Sequence, residues 1–157
     1  MSSDIDAAEL LYVQKGPATM TEMSSDDVAQ ALARTDVVLL PFGALEAHGA
    51  HLPLGTDSME AREICRRVAL QLEREGCPVV IGPVIPFGTS NFHLGYPGTV
   101  SLKPETLIAL SRDICRSLYQ SGFRRFVFIH GHDGSLPSMM VAAQILVEET
   151  PDAEAMV

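Results

Sequence analysis

The sequence predicts an α/β protein of three layers, α/β/α, around a mostly parallel sheet. Two features carry that expectation. Short apolar runs of strand length alternate with longer stretches whose apolar residues recur three and four apart. Glycine, proline, serine or aspartate marks the junctions, where such residues start and stop elements. Strands alternating with helices form right-handed βαβ units, and the helices then cover both faces of the sheet. The 157 residues suffice for one domain with a buried core.

The opening stretch, to about residue 20, has no clear periodicity and is expected to be partly mobile. Ser24-Ser25-Asp26-Asp27 supplies a helix start, with helix to about Arg34. Val37 to Leu40 is a continuous apolar run ending at Pro41, as a buried parallel strand would. A polar, glycine-bearing connection runs from Gly43 to Asp57. The next helix, Ser58 to Glu75, presents Ala61, Ile64, Cys65, Val68 and Leu72 on one face, and Gly76 ends it. Pro78 to Ile81 reads as a second strand and Gly82 to Thr99 as a second long loop. Pro104 opens a helix at its first turn, Leu107, Leu110, Ile114 and Leu118 form its apolar stripe, and Gly122 closes it. Arg125 to Ile129 is a third strand and Leu136 to Glu148 a last helix. After Pro151, Asp152 to Val157 reads as the approach to another strand, so the sheet is expected to be unfinished and the fold truncated at its C-terminus.

A net charge of −9 excludes nucleic acid and anionic membrane surfaces as expected partners, since both require a basic footprint. No apolar run approaches the ~20 residues of a membrane span. Met1-Ser2-Ser3-Asp4 lacks the basic and apolar regions of a secretory leader. Cys65, Cys77 and Cys115 form no paired spacing, and Cys65 and Cys115 fall on apolar helix faces. A cytoplasmic location is the expectation.

In open α/β sheets, ligands bind outside the carboxyl ends of the strands. The chemically distinctive residues follow two such ends. After Val37–Leu40 come Glu46, His48, His51 and Asp57; after Arg125–Ile129 come His130, His132 and Asp133. Four of the five histidines lie in these two loops. Imidazole and carboxylate together suit Zn²⁺, Mn²⁺ or Fe²⁺. In extended chain Glu46 and His48, two apart, point the same way. Simpler readings stand beside this one. Asp57, three before Glu60, fits a helix N-cap; Asp133-Gly134 is a turn dipeptide and Ser135 a good N-cap. His132 alone would be an ordinary loop histidine, and His51 and His130 are read that way, as partners that orient ligands.

The block from Leu39 to Gly43, continued by Glu46-Ala47-His48-Gly49-Ala50-His51-Leu52-Pro53 and Thr56-Asp57, resembles the creatininase family signature P-x-G-x-x-E-x-H-G-x-H-L-P-x-x-T-D. Gly88 to Thr99 is similar to that family's G-x-S-x-x-H-x-x-[FY]-P-G-T loop, and Gly122 to Ser135 to its G-F-[KR]-[KR] strand ending N-G-H-G-G-N. The resemblance implies a two-metal amidohydrolase. Glu46, His48, Asp57 and His132 would be metal ligands, with Asp57 bridging two divalent ions ~3.5–4 Å apart that activate water for attack on a small-molecule amide, cyclic amide or formamide. It also implies His93 at the substrate pocket, where packing within a Gly/Pro-rich loop is the competing reading, and a homo-oligomer, commonly a hexamer.

Three departures qualify the match. His130 and Ser135 stand where the family usually has Asn. Creatininase itself has a carboxylate ligand where this chain has Gly134, and other members draw a glutamate from a later H-A-G-E-like segment that does not occur before Val157. The chain alone is therefore expected to show little or no amidase activity. The competing reading is a catalytically silent metal-binding or oligomer-forming protein. A deformylase or peptide-trimming specificity keeps the same chemistry.

Overall fold

A computed structural model describes residues 16–157 of the chain, so the expectation of mobility for residues 1–15 lies outside them. From Pro17 onward the chain is tied down. Thr19 is buried and bridges to Ile81, and Arg66 donates to the Pro17 carbonyl and to both Glu22 carboxylate oxygens.

Four strands, β1 (Val37–Phe42), β2 (Val80–Ile81), β3 (Arg125–His130) and β4 (Glu154–Met156), form one sheet in the order β2-β1-β3-β4. All pairings are parallel. Four helices accompany them: α1 (Ser25–Leu32), α2 (Thr56–Arg74), α3 (Pro104–Ser121) and α4 (Leu136–Glu149). The strand expected after Pro151 is β4, which pairs with β3 from Arg125↔Glu154 to Val127↔Met156.

The alternation of strand side chains divides the core in two. Leu39 and Ile81 meet Cys65 and Ala69 of α2 on one face, with Val127 and Ile129 beside them. Val38, Leu40, Phe42, Phe126 and Phe128 meet Leu107, Cys115 and Leu118 of α3 and Met139, Ala142 and Leu146 of α4 on the other. The layers are thus the predicted α/β/α.

Several boundaries and faces differ from expectation for physical reasons. β1 continues through Pro41 to Phe42. The Leu39 and Pro41 carbonyls both accept from the segment at and beyond the end of β2, Gly82 and Ile85 respectively. The missing Pro41 N–H therefore falls on the side where β2 has ended, and no ladder bond is lost. On α2 the sheet-facing row is Ala61, Cys65 and Ala69, and Ile64 is exposed. Small side chains let this helix lie close on the strands. On α3 the buried row is Leu107, Ser111, Cys115 and Leu118, and Leu110 is exposed. The Ser111 hydroxyl tolerates burial because it donates to the Leu107 carbonyl at 2.8 Å. Among the described residues no helix is long and apolar enough to cross a membrane.

Candidate metal centre

β1 and β3 run level for six residue pairs, from Val37↔Arg125 to Phe42↔His130. The two motif loops therefore leave the sheet side by side at its carboxyl edge. The third, Gly88 to Thr99, folds over them: Val100 N donates to the Leu45 carbonyl at 2.9 Å, Ala47 N to Thr99 Oγ1 at 3.1 Å, and Leu102 N to the Gly88 carbonyl at 2.8 Å.

The centre is built on Glu46 and Asp57, each only 5% exposed. One Glu46 oxygen lies 3.3 Å from His132 Nδ1, 3.9 Å from His93 Nε2 and 4.0 Å from His48 Nε2. Asp57 Oδ1 is 2.7 Å from His48 Nε2, and Asp57 Oδ2 is 3.3 Å from His132 Nδ1. Ligand atoms of Glu46, Asp57 and His132 all fall within 4.8 Å of one another, and His48 joins them through Asp57. Asp57 lies in the first turn of α2, with Gly55 at the N-cap, so the capping reading does not hold.

Backbone carbonyls orient both imidazoles. His48 Nδ1 lies 3.0 Å from the Glu46 carbonyl, which as an acceptor places the proton on Nδ1 and leaves Nε2 toward Asp57. His132 is reversed. Its Nε2 lies 3.0 Å from the Thr89 carbonyl, leaving Nδ1 toward the two carboxylates. The Thr89 segment is in turn pinned: its N–H donates to Ser135 Oγ at 3.2 Å and its hydroxyl to the Gly134 carbonyl. Ser135 thus occupies the N-cap position of α4 without capping it. Gly134 permits the close approach, because a Cβ there would lie 2.6 Å from His132 Nε2 and 2.7 Å from the Thr89 carbonyl oxygen.

Burial pushes the Asp57 carboxyl above its ordinary value, and His48 offsets this only in part. At His48 burial opposes the charged form, but the Glu46 carbonyl and the Asp57 carboxylate outweigh it and raise the imidazole. Glu46 Oε2 and Asp57 Oδ2 are buried without a hydrogen-bond partner. Two adjacent carboxylates with orphaned oxygens are costly unless a cation joins them, and the surrounding nitrogen and oxygen donors suit a borderline divalent ion. The residues fit such an ion.

His93, Glu46, His48, Asp57 and His132 are thus brought together. His51 is exposed on its turn, and His130 pairs with Asp133 at 3.7 Å and faces a separate cavity between α4 and β4, so neither is among the contacts that orient the cluster in the described residues. The parts that residue types could not announce are the Thr89 and Glu46 carbonyls, since every residue has one.

A parallel α/β sheet with a buried imidazole–carboxylate cluster at its carboxyl edge defines a candidate metallohydrolase scaffold. The chain matches the family model described as creatinine amidohydrolase over residues 21–157; it belongs to the creatininase family. It is 33% identical over 137 residues to the mycofactocin precursor peptide peptidase of Mycobacterium tuberculosis (strain CDC 1551 / Oshkosh), covering 84% of this chain and 54% of that protein. It is 37% identical over 107 residues to the creatinine amidohydrolase of Pseudomonas putida, covering 66% and 40%. A solved structure, "Creatininase Mn", superposes with a TM-score of 0.80 at 27% identity, over 90% of this chain and 57% of that one. The chain therefore spans about half the length of the proteins it matches.

Proposed function

We propose that the chain carries the metal-binding part of a metal-dependent hydrolase of C–N amide bonds. The observation that supports this best is the pair of buried carboxylates, each with an orphaned oxygen, facing His48 and His132 across two loops. Glu46, His48, Asp57 and His132 would hold two divalent ions, Zn²⁺, Mn²⁺ or Fe²⁺, with Asp57 presenting Oδ1 to His48 and Oδ2 to His132. Bound there, the ions supply Lewis-acid polarisation of the amide carbonyl and a water acidic enough to ionise at neutral pH.

The remaining work falls to the chain's own groups. The Glu46 and Thr89 carbonyls orient His48 and His132, leaving Nε2 of the one and Nδ1 of the other toward the carboxylates. His93, the partly exposed imidazole of the cluster, stands between Glu46 and an open cavity and is the group able to exchange a proton with substrate at Nε2. A linear or cyclic amide or a formamide is the substrate class, with a peptide-trimming activity of the kind named for the mycobacterial relative as a variant.

The test is metal analysis of protein purified without chelator, followed by hydrolysis of an amide panel with and without chelator. Chelator-sensitive turnover with stoichiometric metal supports the reading; protein that takes up no divalent ion overturns it. One observation favours metal binding without turnover. Gly134 has no room for a side chain, and Asp133, the carboxylate beside it, is 98% exposed and turned to His130, so the cluster gains no further carboxylate from this loop. Metal uptake with no hydrolysis would select that alternative. By the same family membership the protein is proposed to form a closed homo-oligomer in the cytoplasm, which light scattering and fractionation would check.

A further inference from the structure

Beside the carboxylate cluster lies a cavity of about 540 Å³, walled chiefly by Ala47, Ala50, Leu54, His93, Tyr96 and Pro97. That volume is within the ~300–1,000 Å³ of sites that enclose whole small molecules. Two of its walls are continuous with the centre: Ala47 follows Glu46, and the His93 ring that lines the cavity reaches to 3.9 Å from the Glu46 carboxylate. Anything seated here has its neighbouring bond at the cluster.

The lining is specific in chemistry. It contains no Asp, Glu, Lys or Arg, and its polar groups are one imidazole and one phenol. The His93 and Tyr96 rings stand 6.3 Å apart at 37°, an open aromatic corner with Tyr96 59% exposed. Methyl and isobutyl groups from Ala47, Ala50 and Leu54 complete the wall. The wall is also fixed. Ala47 N is bonded to Thr99 Oγ1 and Val100 N to the Leu45 carbonyl. Leu54 packs so close to Gly98 that a Cβ there would lie 2.5 Å from Leu54 Cδ1, and Gly98 has a φ of +87°. The negative charge of the chain further disfavours an anionic occupant.

We propose that this cavity is a subsite for an uncharged apolar substituent, an aromatic ring above all, carried next to the scissile amide. It rests on the reading of the cluster as an amide-hydrolysing centre. A very small polar amide would leave the cavity wet; a phenyl group with its flanking amide would fill the aromatic corner, where offset or edge-to-face ring contacts add to burial.

The experiment measures binding as well as turnover. Zinc-loaded chain is titrated calorimetrically with N-acetylphenylalaninamide, N-acetylglycinamide and the α-amide of N-acetylaspartate. The phenyl compound should bind at least about 10-fold more tightly than the other two, as expected for burying one large apolar group. Ala50→Trp, which fills the cavity from an exposed turn, should abolish that preference. Tyr96→Ser should reduce it and serves if Ala50→Trp does not fold. Phe92→Ser removes a ring that is 97% exposed and is not part of the wall, and should leave the preference intact. Equal affinities for the three compounds, a preference untouched by both wall variants, or one lost in Phe92→Ser, would overturn the subsite. Hydrolysis of all three without preference would overturn it while leaving the amidase reading standing. Selective binding without hydrolysis by the zinc- or manganese-loaded protein would do the reverse.

Discussion

Replacing Asp57 by asparagine separates a metal centre from a structural ion pair. The change is nearly isosteric, and its effect on the metal-free protein is expected to be small. The carboxyl it removes is buried beside Glu46, and burial already holds its value up. Loss of the 2.7 Å contact to His48 and relief of carboxylate repulsion act in opposite directions, so stability without metal should change by no more than about 1 kcal/mol. Metal binding should suffer far more. Groups that merely orient a ligand are worth 10–100-fold in affinity, so loss of a direct ligand should cost at least about 100-fold, or about 2.7 kcal/mol. At metal concentrations about 100 times its Kd, the unaltered protein gains about 2.7 kcal/mol, and the variant, then at its own Kd, about 0.4 kcal/mol. For a domain of this size those gains raise Tm by roughly 5–10 °C and 1–2 °C. Thermal melts with zinc or manganese against chelator, alongside a calorimetric titration, would measure both. An equal metal-induced shift in the variant would refute the ligand role and reduce Asp57 to a hydrogen-bond partner of His48.

Gly134→Ala should push the His132 ring off the Thr89 carbonyl and weaken metal binding by about 10-fold or more while the circular dichroism spectrum is kept; unchanged affinity would show that His132 does not depend on that clamp. Of the three cysteines, only Cys77 is exposed, whereas burial pushes the Cys65 and Cys115 thiols up to about 12. A maleimide should accordingly modify Cys77 alone in the folded protein, and fast labelling of a second site by mass spectrometry would contradict the packing. The Tyr119 hydroxyl and then Arg124 hold the Asp152 carboxyl below its ordinary value. A depressed folded value contributes stability that is present above the unfolded value of about 3.9 and is lost as pH falls through the folded one. The stability gap between the protein and Asp152→Asn should be flat above about pH 5 and close below pH 4; a gap that widens on acidification would contradict the pairing.

The order of elements was legible because each strand and helix has its own period, and the four candidate ligands were legible because rare residue types gather after strand ends. The phase of α2 and α3 was legible only in part: Ala61, Cys65, Leu107 and Leu118 are buried as read, but the full width of each stripe was not. Ile64 and Leu110 are apolar and correctly spaced, yet the burying rows run through Ala61, Cys65 and Ala69 and through Ser111 and Cys115. Small residues carry little periodic signal but decide how near a helix can come to a sheet. Asp57 and Ser135 both read as caps, since the same short polar side chains that cap helices also serve as ligands and latches. What distinguishes them is what stands opposite, His48 and His132 for one and Thr89 for the other, over separations of many residues along the chain.

The unbroken six-pair ladder between β1 and β3 has a mechanical consequence. Parallel strands cannot creep along one another: a shift of one residue reverses every side chain, so the smallest slip that preserves both faces is two residues, roughly 6.6 Å. That displacement exceeds the spread of the ligand atoms of Glu46, Asp57 and His132, which lie within 4.8 Å of one another. The sheet thus acts as a ratchet locked at one tooth. Any opening of the centre to admit or release an ion has to come from the loops bending at their hinges, with the two strand ends beneath them as a fixed datum.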